Sequence, residues 1–527
     1  DSFHWTMPLE SVQAPGTRDE NGPQGLTASL IASDKTEMDA TAFTSEDVMA
    51  ATFNRDLMTE IGKVIGNNCL KAGVSILYGP GNNIHRTPYG GRNFEYYSED
   101  GFLSGEMSAY EVAAIEEKGV GVVMKHFALN DSEQDRIEVE VVKIDHDTYV
   151  TKLNAMATAG ELPDTGIMSE AGVLKFAENG LLADISSMYG EGDAKPLDAL
   201  TFKYQGTPVA YSAANEVLNL WYNIDLLNEV CEKQNLDVKE MTPPASAADA
   251  WDWDTFVETA QKLTIDINGK NALDPDFDPN NIDIYGCTIN TLPWQLEVWA
   301  LSNGGGYYSK DGSECTINDP ATVDALQKIA DLSEVYHCAP PVTSAANALE
   351  SSLGSKKVVM ATDGAWNVGT FLGPSADFEY GVGVLPYMKE KVTICTGGPN
   401  VVFATTKHPE EAMEWLKWYY QEENSWSLIE AGTWMPILDS WYTDAEKTDK
   451  WIDNPNFPDK DMYKSAVVDY AKDNMVSTSW YYVNGTDEFN ATLDTVFSNV
   501  WAGQQTMQEA IDENLEELQG IYEANNQ

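Results

Sequence analysis

The sequence predicts an α/β protein of two or three domains, on three observations. At 527 residues it exceeds the size at which one hydrophobic core keeps growing, and 43% of it is apolar. Short apolar runs that suit buried strands follow stretches with helical apolar spacing. The pattern also changes character near Arg136 and Ile137, and neither side of that point reads as a complete fold.

Taken in order, Glu46 to Lys71 has the apolar spacing of a helix. It feeds the apolar run Val74-Ser75-Ile76-Leu77, which Tyr78-Gly79-Pro80-Gly81 ends. Leu103 to Lys118 repeats the helix, and Gly121 to Met124 repeats the buried strand, extending apolar character towards Ala128 and delivering Lys125 and His126 to its C-terminal end. Past the change of character, Ile137 to Val142 alternates as a strand does, and Thr148 to Ala159 reads as a short helix. Further on, Asp237 to Asp249 with Pro243 and Pro244 reads as a connection, and Trp253-Asp254-Thr255-Phe256 opens another helix.

Charge narrows the partners. Lys and Arg number 32 against 84 Asp and Glu, a net charge of −52 that repels phosphate backbones and anionic lipid, so nucleic acid is excluded as a partner. With 15 Trp and 24 Tyr the chain has the aromatic content of an ordered protein despite that charge, and a surplus suited to stacking on sugars. No run of eighteen apolar residues spans a membrane. The sequence starts at Asp1, so any export signal lies outside these residues.

Cys69, Cys231, Cys287, Cys315, Cys338 and Cys395 form no CxxC pair and no Cys/His cluster, which argues against a metal site or redox dithiol. Most read as small buried hydrophobes, and Cys287 with Cys315 is the pair considered for a disulfide in an oxidising compartment. Asp274, Asp276, Asp278 and Asn280 have the odd-position oxygens of a calcium loop. Pro279 stands where the turn needs Gly and Tyr285 where a bidentate Glu belongs, so the segment reads as an exposed acidic loop. No metal and no cofactor is expected.

Up to Arg136 the chain resembles the start of a glycoside hydrolase family 3 barrel. The motifs are Asn21-Gly22-Pro23-Gln24-Gly25, Tyr78 to Arg86 (YGPGNNIHR), Gly90 to Asp100 (GGRNFEYYSED) and Lys125-His126-Phe127. The resemblance implies that Arg92, Lys125 and His126 hold hydroxyls of a terminal sugar at the C-terminal ends of the strands. In that family an Asp precedes Gly-Pro-x-Gly and also touches the sugar; here Asn21 keeps an acceptor and loses the charge that strengthens such bonds. Hydrolysis of this type needs a carboxylate nucleophile and a separate acid, from regions of the family not recognisable in this chain. Asp131, Glu133 and Asp135 read as solvated surface, so no catalytic residue is assigned. Residues 1–136 are thus expected to be a partial (β/α) barrel with unpaired strand edges, and the less stable part of the chain.

From Ile137 onward the chain resembles a sugar-binding extracellular solute-binding protein, family 1, of an ABC importer. Six segments carry the likeness: Gly160 to Ser186, Gly206 to Asp225 (GTPVAYSAANEVLNLWYNID), Trp253 to Phe256, Trp299 to Gly305 (WALSNGG), Gly397-Gly398 after a strand, and Lys407 to Ala412. The resemblance implies a two-lobe periplasmic-binding-protein-like fold (type II) over residues 137–527, lacking its first strand and helix, with a mono- or oligosaccharide between the lobes. It also implies permease membrane subunits as partners and an extracellular, cell-surface or periplasmic location. By position in the motifs, Asn215, Trp221, Trp294, Asp363, Trp366 and Trp434 are the candidate ligand residues. Each Trp serves either core packing or ligand contact, and the Gly-flanked loops of Trp366 and Trp434 favour exposure. The overall expectation is a carbohydrate receptor carrying a catalytically incomplete glycosidase fragment; the alternative is a β-glucosidase-type hydrolase acting on terminal β-linked sugars.

Overall fold

The computed structural model describes residues 5–6, 17–26, 40–126, 139–144, 149–188, 196–342 and 352–526. Phe127, Ala128, Asp131, Glu133, Asp135, Arg136, Ile137 and Thr148 lie outside the described residues. Contacts divide the chain into two units, Asp1–Val142 and Lys143–Gln527.

The first unit holds a sheet ordered β1 (Trp5–Thr6), β2 (Thr17–Asn21), β3 (Ile76–Gly81) and β4 (Gly121–Lys125). β2, β3 and β4 are parallel, with Leu77 opposite both Glu20 and Val122. Parallel neighbours need long crossovers. Here the helices Arg55–Ala72 and Gly101–Glu116 supply them, and Met58, Ile65, Leu77, Met107 and Ile115 close the core beneath. The single helix expected over Glu46–Lys71 is two, Glu46–Ala50 and Arg55–Ala72. The break follows from Asn54, whose side chain accepts from Leu57 N at 3.1 Å and starts the second helix, after Phe53 turns at φ 51°. Asp100 caps Gly101–Glu116 in the same way, accepting from Phe102 N and Leu103 N. β1 pairs antiparallel with β2, covering one edge expected to be open. Among the described residues nothing pairs beyond β4, and Val123 and Met124 on it are 46% and 50% exposed.

The second unit is built on two sheets. The smaller joins β5 (Thr165–Ile167), β6 (Thr201–Tyr204), β7 (Thr207–Ser212) and, from far along the chain, β14 (Pro399–Val402), in the order β5-β14-β7-β6, all antiparallel. The larger collects β8 (Glu216–Asn223), β9 (Ile265–Asp266), β10 (Ile282–Thr288), β11 (Val358–Gly364), β12 (Tyr380–Gly383), β13 (Thr393–Thr396) and β15 (Met475–Ser477). Its order is β15-β13-β8-β11-β10-β9, with β12 also on β8. Every residue of β8 is buried, the polar Glu216, Asn219 and Asn223 included. Helices follow their sequence signals: Asp252 accepts from Thr255 N at 2.8 Å to start Trp253–Leu263, and Pro409 occupies the first turn of Pro409–Tyr419.

The chain passes between the two sheets at Ala213–Asn215, from β7 to β8, and again at Gly397–Gly398, from β13 to β14. The crossings lie side by side, because β7 pairs with β14 and β8 with β13. Gly397 has φ +153°, and a Cβ there would stand 2.2 Å from the carbonyl oxygen of Ala214, so the approach of the two crossings requires glycine.

The strand expected over Ile137–Val142 is a correction: Val139 to Val142 carry no strand and are exposed. Alternation alone makes no strand without an edge to receive it. The strand ending at Lys125 pairs with β3 in the first unit. The short helix is present as Tyr149–Ala159. The acidic loop spends its oxygens on its own backbone, with Asp274 accepting from Asp276 N and Asp278 from Asn280 N at 2.9 and 3.0 Å.

Candidate functional site

In the first unit, the C-terminal ends of β2 and β4 bring Asn21 and Lys125 together, the ammonium donating to Asn21 Oδ1 at 2.5 Å. Glu95, which motif reasoning passed over although it lies in the Gly90–Asp100 segment, takes Lys125 at 2.8 Å and both Nε and Nη2 of Arg92 at 3.0 and 2.8 Å. Burial alone would raise the Glu95 carboxyl, but hydrogen bonds from Arg92 and Lys125 outweigh it and hold it below the usual carboxylate range. His126 joins through Tyr96, whose hydroxyl is 2.8 Å from Nδ1, and its backbone N–H donates to Asn83 Oδ1 at 2.7 Å. All four residues singled out from the sequence therefore gather at one end of the sheet. They form a polar rim suited to hydroxyl groups.

Behind that rim lie two buried acids. Glu111 accepts the Tyr97 hydroxyl at 2.7 Å, and burial pushes its carboxyl up to about 7. Glu46, raised well above its ordinary value by burial and then by Glu111, accepts Gly81 N with both oxygens. An unfolded Glu titrates near ~4.3. Above that pH the unfolded chain releases protons that the folded unit still keeps, so Glu111 makes stability fall as pH rises from about 4.3 to 7, with its penalty fully present above 7, and Glu46 acts in the same direction. Thermal melting of wild type and Glu111→Gln at pH 5 and pH 8 reads this directly. The variant should gain on wild type at pH 8 and not at pH 5; parallel behaviour at both would contradict the assignment.

In the second unit the residues beside the two crossings come from distant parts of the chain. Glu170, just after β5, accepts Thr396 Oγ1 and Gly397 N at 2.9 and 3.1 Å. Asn215 is buried and donates to the Tyr442 hydroxyl at 3.0 Å, while its Oδ1 has no hydrogen-bond partner. Glu216, 4% exposed, accepts Met435 N at 3.2 Å and the backbone of Trp366, which ties together the two Gly-flanked Trp loops. Burial drives its carboxyl well above the ordinary range, and its Oε2 has no partner.

Three half-buried or buried indoles cluster at this seam. Trp294 lies 6.2 Å from Trp366 and 5.2 Å from Trp480 between ring centroids, and it packs against the cores of both sheets. The Trp366 ring folds back over Gly364, where a Cβ would come within 1.8 Å of it. Trp480 was missed in the sequence because Ser479 and Tyr481 flank it rather than glycine. Its neighbour Ser479 donates from backbone N and Oγ to buried Glu297, which burial holds up to about 7.

The other candidates are placed differently. Asp363 is buried, accepts its own Gly364 N at 2.8 Å and Gln295 Nε2 at 3.4 Å, and lies one residue from the Trp366 turn. Trp221 is fully buried in the core of the larger sheet, with Nε1 donating to the Asp363 carbonyl at 3.1 Å. It is not brought to the cluster. Trp434 stands apart, edge to face with Tyr419, lining a small pocket together with Met435, Ile437 and Trp441.

Two sheets joined by adjacent crossings, with aromatic and hydrogen-bonding side chains at the seam, define the architecture of a two-lobe ligand-binding receptor. The chain belongs to the family described as bacterial extracellular solute-binding protein, whose profile matches residues 126–459. The glycosyl hydrolase family 3 N terminal domain matches residues 33–157. Among solved structures, the chain is similar to an ABC substrate-binding protein from Listeria monocytogenes in complex with cycloalternan, with TM-score 0.57, 19% identity, and coverage of 76% of this chain and 92% of that one. It is likewise similar to the cyclic alpha-maltosyl-1,6-maltose binding protein from Arthrobacter globiformis, with TM-score 0.57, 19% identity, and coverage of 78% and 94%. At these identities the likeness is one of fold, a type II solute-binding fold preceded by a partial barrel. Among curated relatives, it is 39% identical over 144 residues to thermostable beta-glucosidase B from Acetivibrio thermocellus and 37% identical over 145 residues to the exo-alpha-(1->6)-L-arabinopyranosidase of Bifidobacterium longum. Each match covers 27% of this chain and 19% of the relative, so the chain spans about a fifth of the length of those enzymes. No helix among the described residues is long and apolar enough to cross a membrane.

Proposed function

We propose that residues 143–527 bind a neutral mono- or oligosaccharide at the seam between the two sheets and present it to the membrane subunits of an ABC importer, outside the cytoplasmic membrane. The observation that carries this reading is the Trp294, Trp366 and Trp480 cluster, which packs between the cores of the two sheets and is tied through the Trp366 backbone to Glu216 beside the first crossing. Indoles offer flat apolar faces to the C–H face of a pyranose, and amide or carboxyl oxygens accept from its hydroxyls. Neutrality follows from composition: the chain has no arginine beyond Arg136, and arginine is the side chain best matched to carboxylate or phosphate groups. The saccharides named with the two similar receptors support the same class. In the first unit, Asn21, Arg92, Lys125 and His126 are offered as a remnant sugar-contacting rim without hydrolytic activity. Titrating purified protein with neutral and uronic-acid oligosaccharides while following tryptophan emission tests the reading. A saturable shift with a neutral sugar is expected. A shift confined to the acidic sugars, or none with any saccharide, would overturn it.

A further inference from the structure

Cys287 near the end of β10 and Cys338, beyond the helix Pro320–Glu334, lie far apart in sequence and together in space. Their Sγ atoms are 4.0 Å apart, and both residues are fully buried. The backbones are in register too, with Cys287 N donating to the Cys338 carbonyl at 3.0 Å and Cys338 N to the Leu332 carbonyl at 2.8 Å. Two chains held by a direct backbone hydrogen bond are within the reach a disulfide requires. Their chain neighbours Thr288 and Ala339 line one small shared pocket with Ile289, Ile329, Pro340 and Trp501. The pairing with Cys315 considered from the sequence is not what the fold brings together. Cys315 pairs through its backbone with Tyr308.

We infer that Cys287 and Cys338 are a disulfide-forming pair, closed during folding by a small-molecule or protein disulfide. The two thiols give up two protons and two electrons as the Sγ–Sγ bond forms; the oxidant's own S–S bond takes them up and leaves as two thiols. Timing follows from burial. The thiolate is the attacking species, and burial holds the Cys287 thiol well above its ordinary value, so exchange proceeds in the unfolded chain and not in the finished fold. Once formed, the bond fastens the exit of the helix Pro320–Glu334 to β10 and closes a long loop, which restricts the unfolded chain.

Full-length protein is reduced in denaturant, refolded in a mixture of oxidised and reduced glutathione, alkylated and mapped without reduction. The expected product is one cross-linked peptide pair holding Cys287 and Cys338, with Cys69, Cys231, Cys315 and Cys395 alkylated and a melting point several degrees above that of the reduced form. Cys315→Ala should retain the cross-link, and Cys338→Ala should fold, as judged by circular dichroism, without one. Alkylation at all six positions, or cross-links shared between Cys287 and Cys315, would overturn the inference.

Discussion

Purified protein should release no nitrophenol from aryl β-glucosides above a buffer blank. The first unit holds a polar rim, but it matches only the N-terminal domain of family 3 enzymes, and the curated relatives are about five times longer than the shared segment. Retaining hydrolysis divides its work between a nucleophilic carboxylate and an acid about 5 Å apart across the scissile bond. At the rim the nearest carboxylate, Glu95, is committed to Arg92 and Lys125 and kept ionised by them, so it cannot serve as the acid. Glu46 and Glu111, whose carboxyls burial raises, are buried and bonded to Gly81 N and the Tyr97 hydroxyl. Loss of a member of a catalytic set costs orders of magnitude in rate. Turnover above the blank that disappears in Lys125→Ala would contradict this account.

Trp221→Ala should destabilise the second unit by about 3–5 kcal/mol, the range for removing a buried aromatic side chain. The indole has no exposed surface, sits in the central strand of the larger sheet and donates to the Asp363 carbonyl, which would lose a partner as well. Chemical denaturation gives the free energy. A loss below about 1 kcal/mol would mean that the core around Val217, Ala361 and Val382 does not depend on this ring.

What the sequence made legible was governed by local rules. Asp100 and Asp252 start helices because short polar side chains satisfy free backbone N–H groups, and the helices from Gly101 and Trp253 lie where their patterns place them, within a few residues. The break at Phe53 and the absence of a strand at Val139–Val142 escaped because they depend on competition among neighbours and on the lack of a pairing edge. In the site, the Gly-flanked loop of Trp366 favours exposure on sequence grounds; the residue is half-buried, and Gly364 makes space for its ring. Trp221 is enclosed because every residue of its strand EVLNLWYN is buried, which the sequence, with Glu216, Asn219 and Asn223 in it, does not announce. Trp480 and Glu216 had no local signal at all. Only the adjacency of the two crossings brings them to the seam.

The most direct measurement is calorimetric titration of wild type and Trp366→Ala with the neutral saccharide that shifts tryptophan emission. Aromatic contacts contribute on the order of 1 kcal/mol, so removing the indole should weaken binding several-fold while circular dichroism leaves the fold unchanged. Equal affinity in the two proteins would contradict the claim that the ligand rests on the aromatic cluster at the seam.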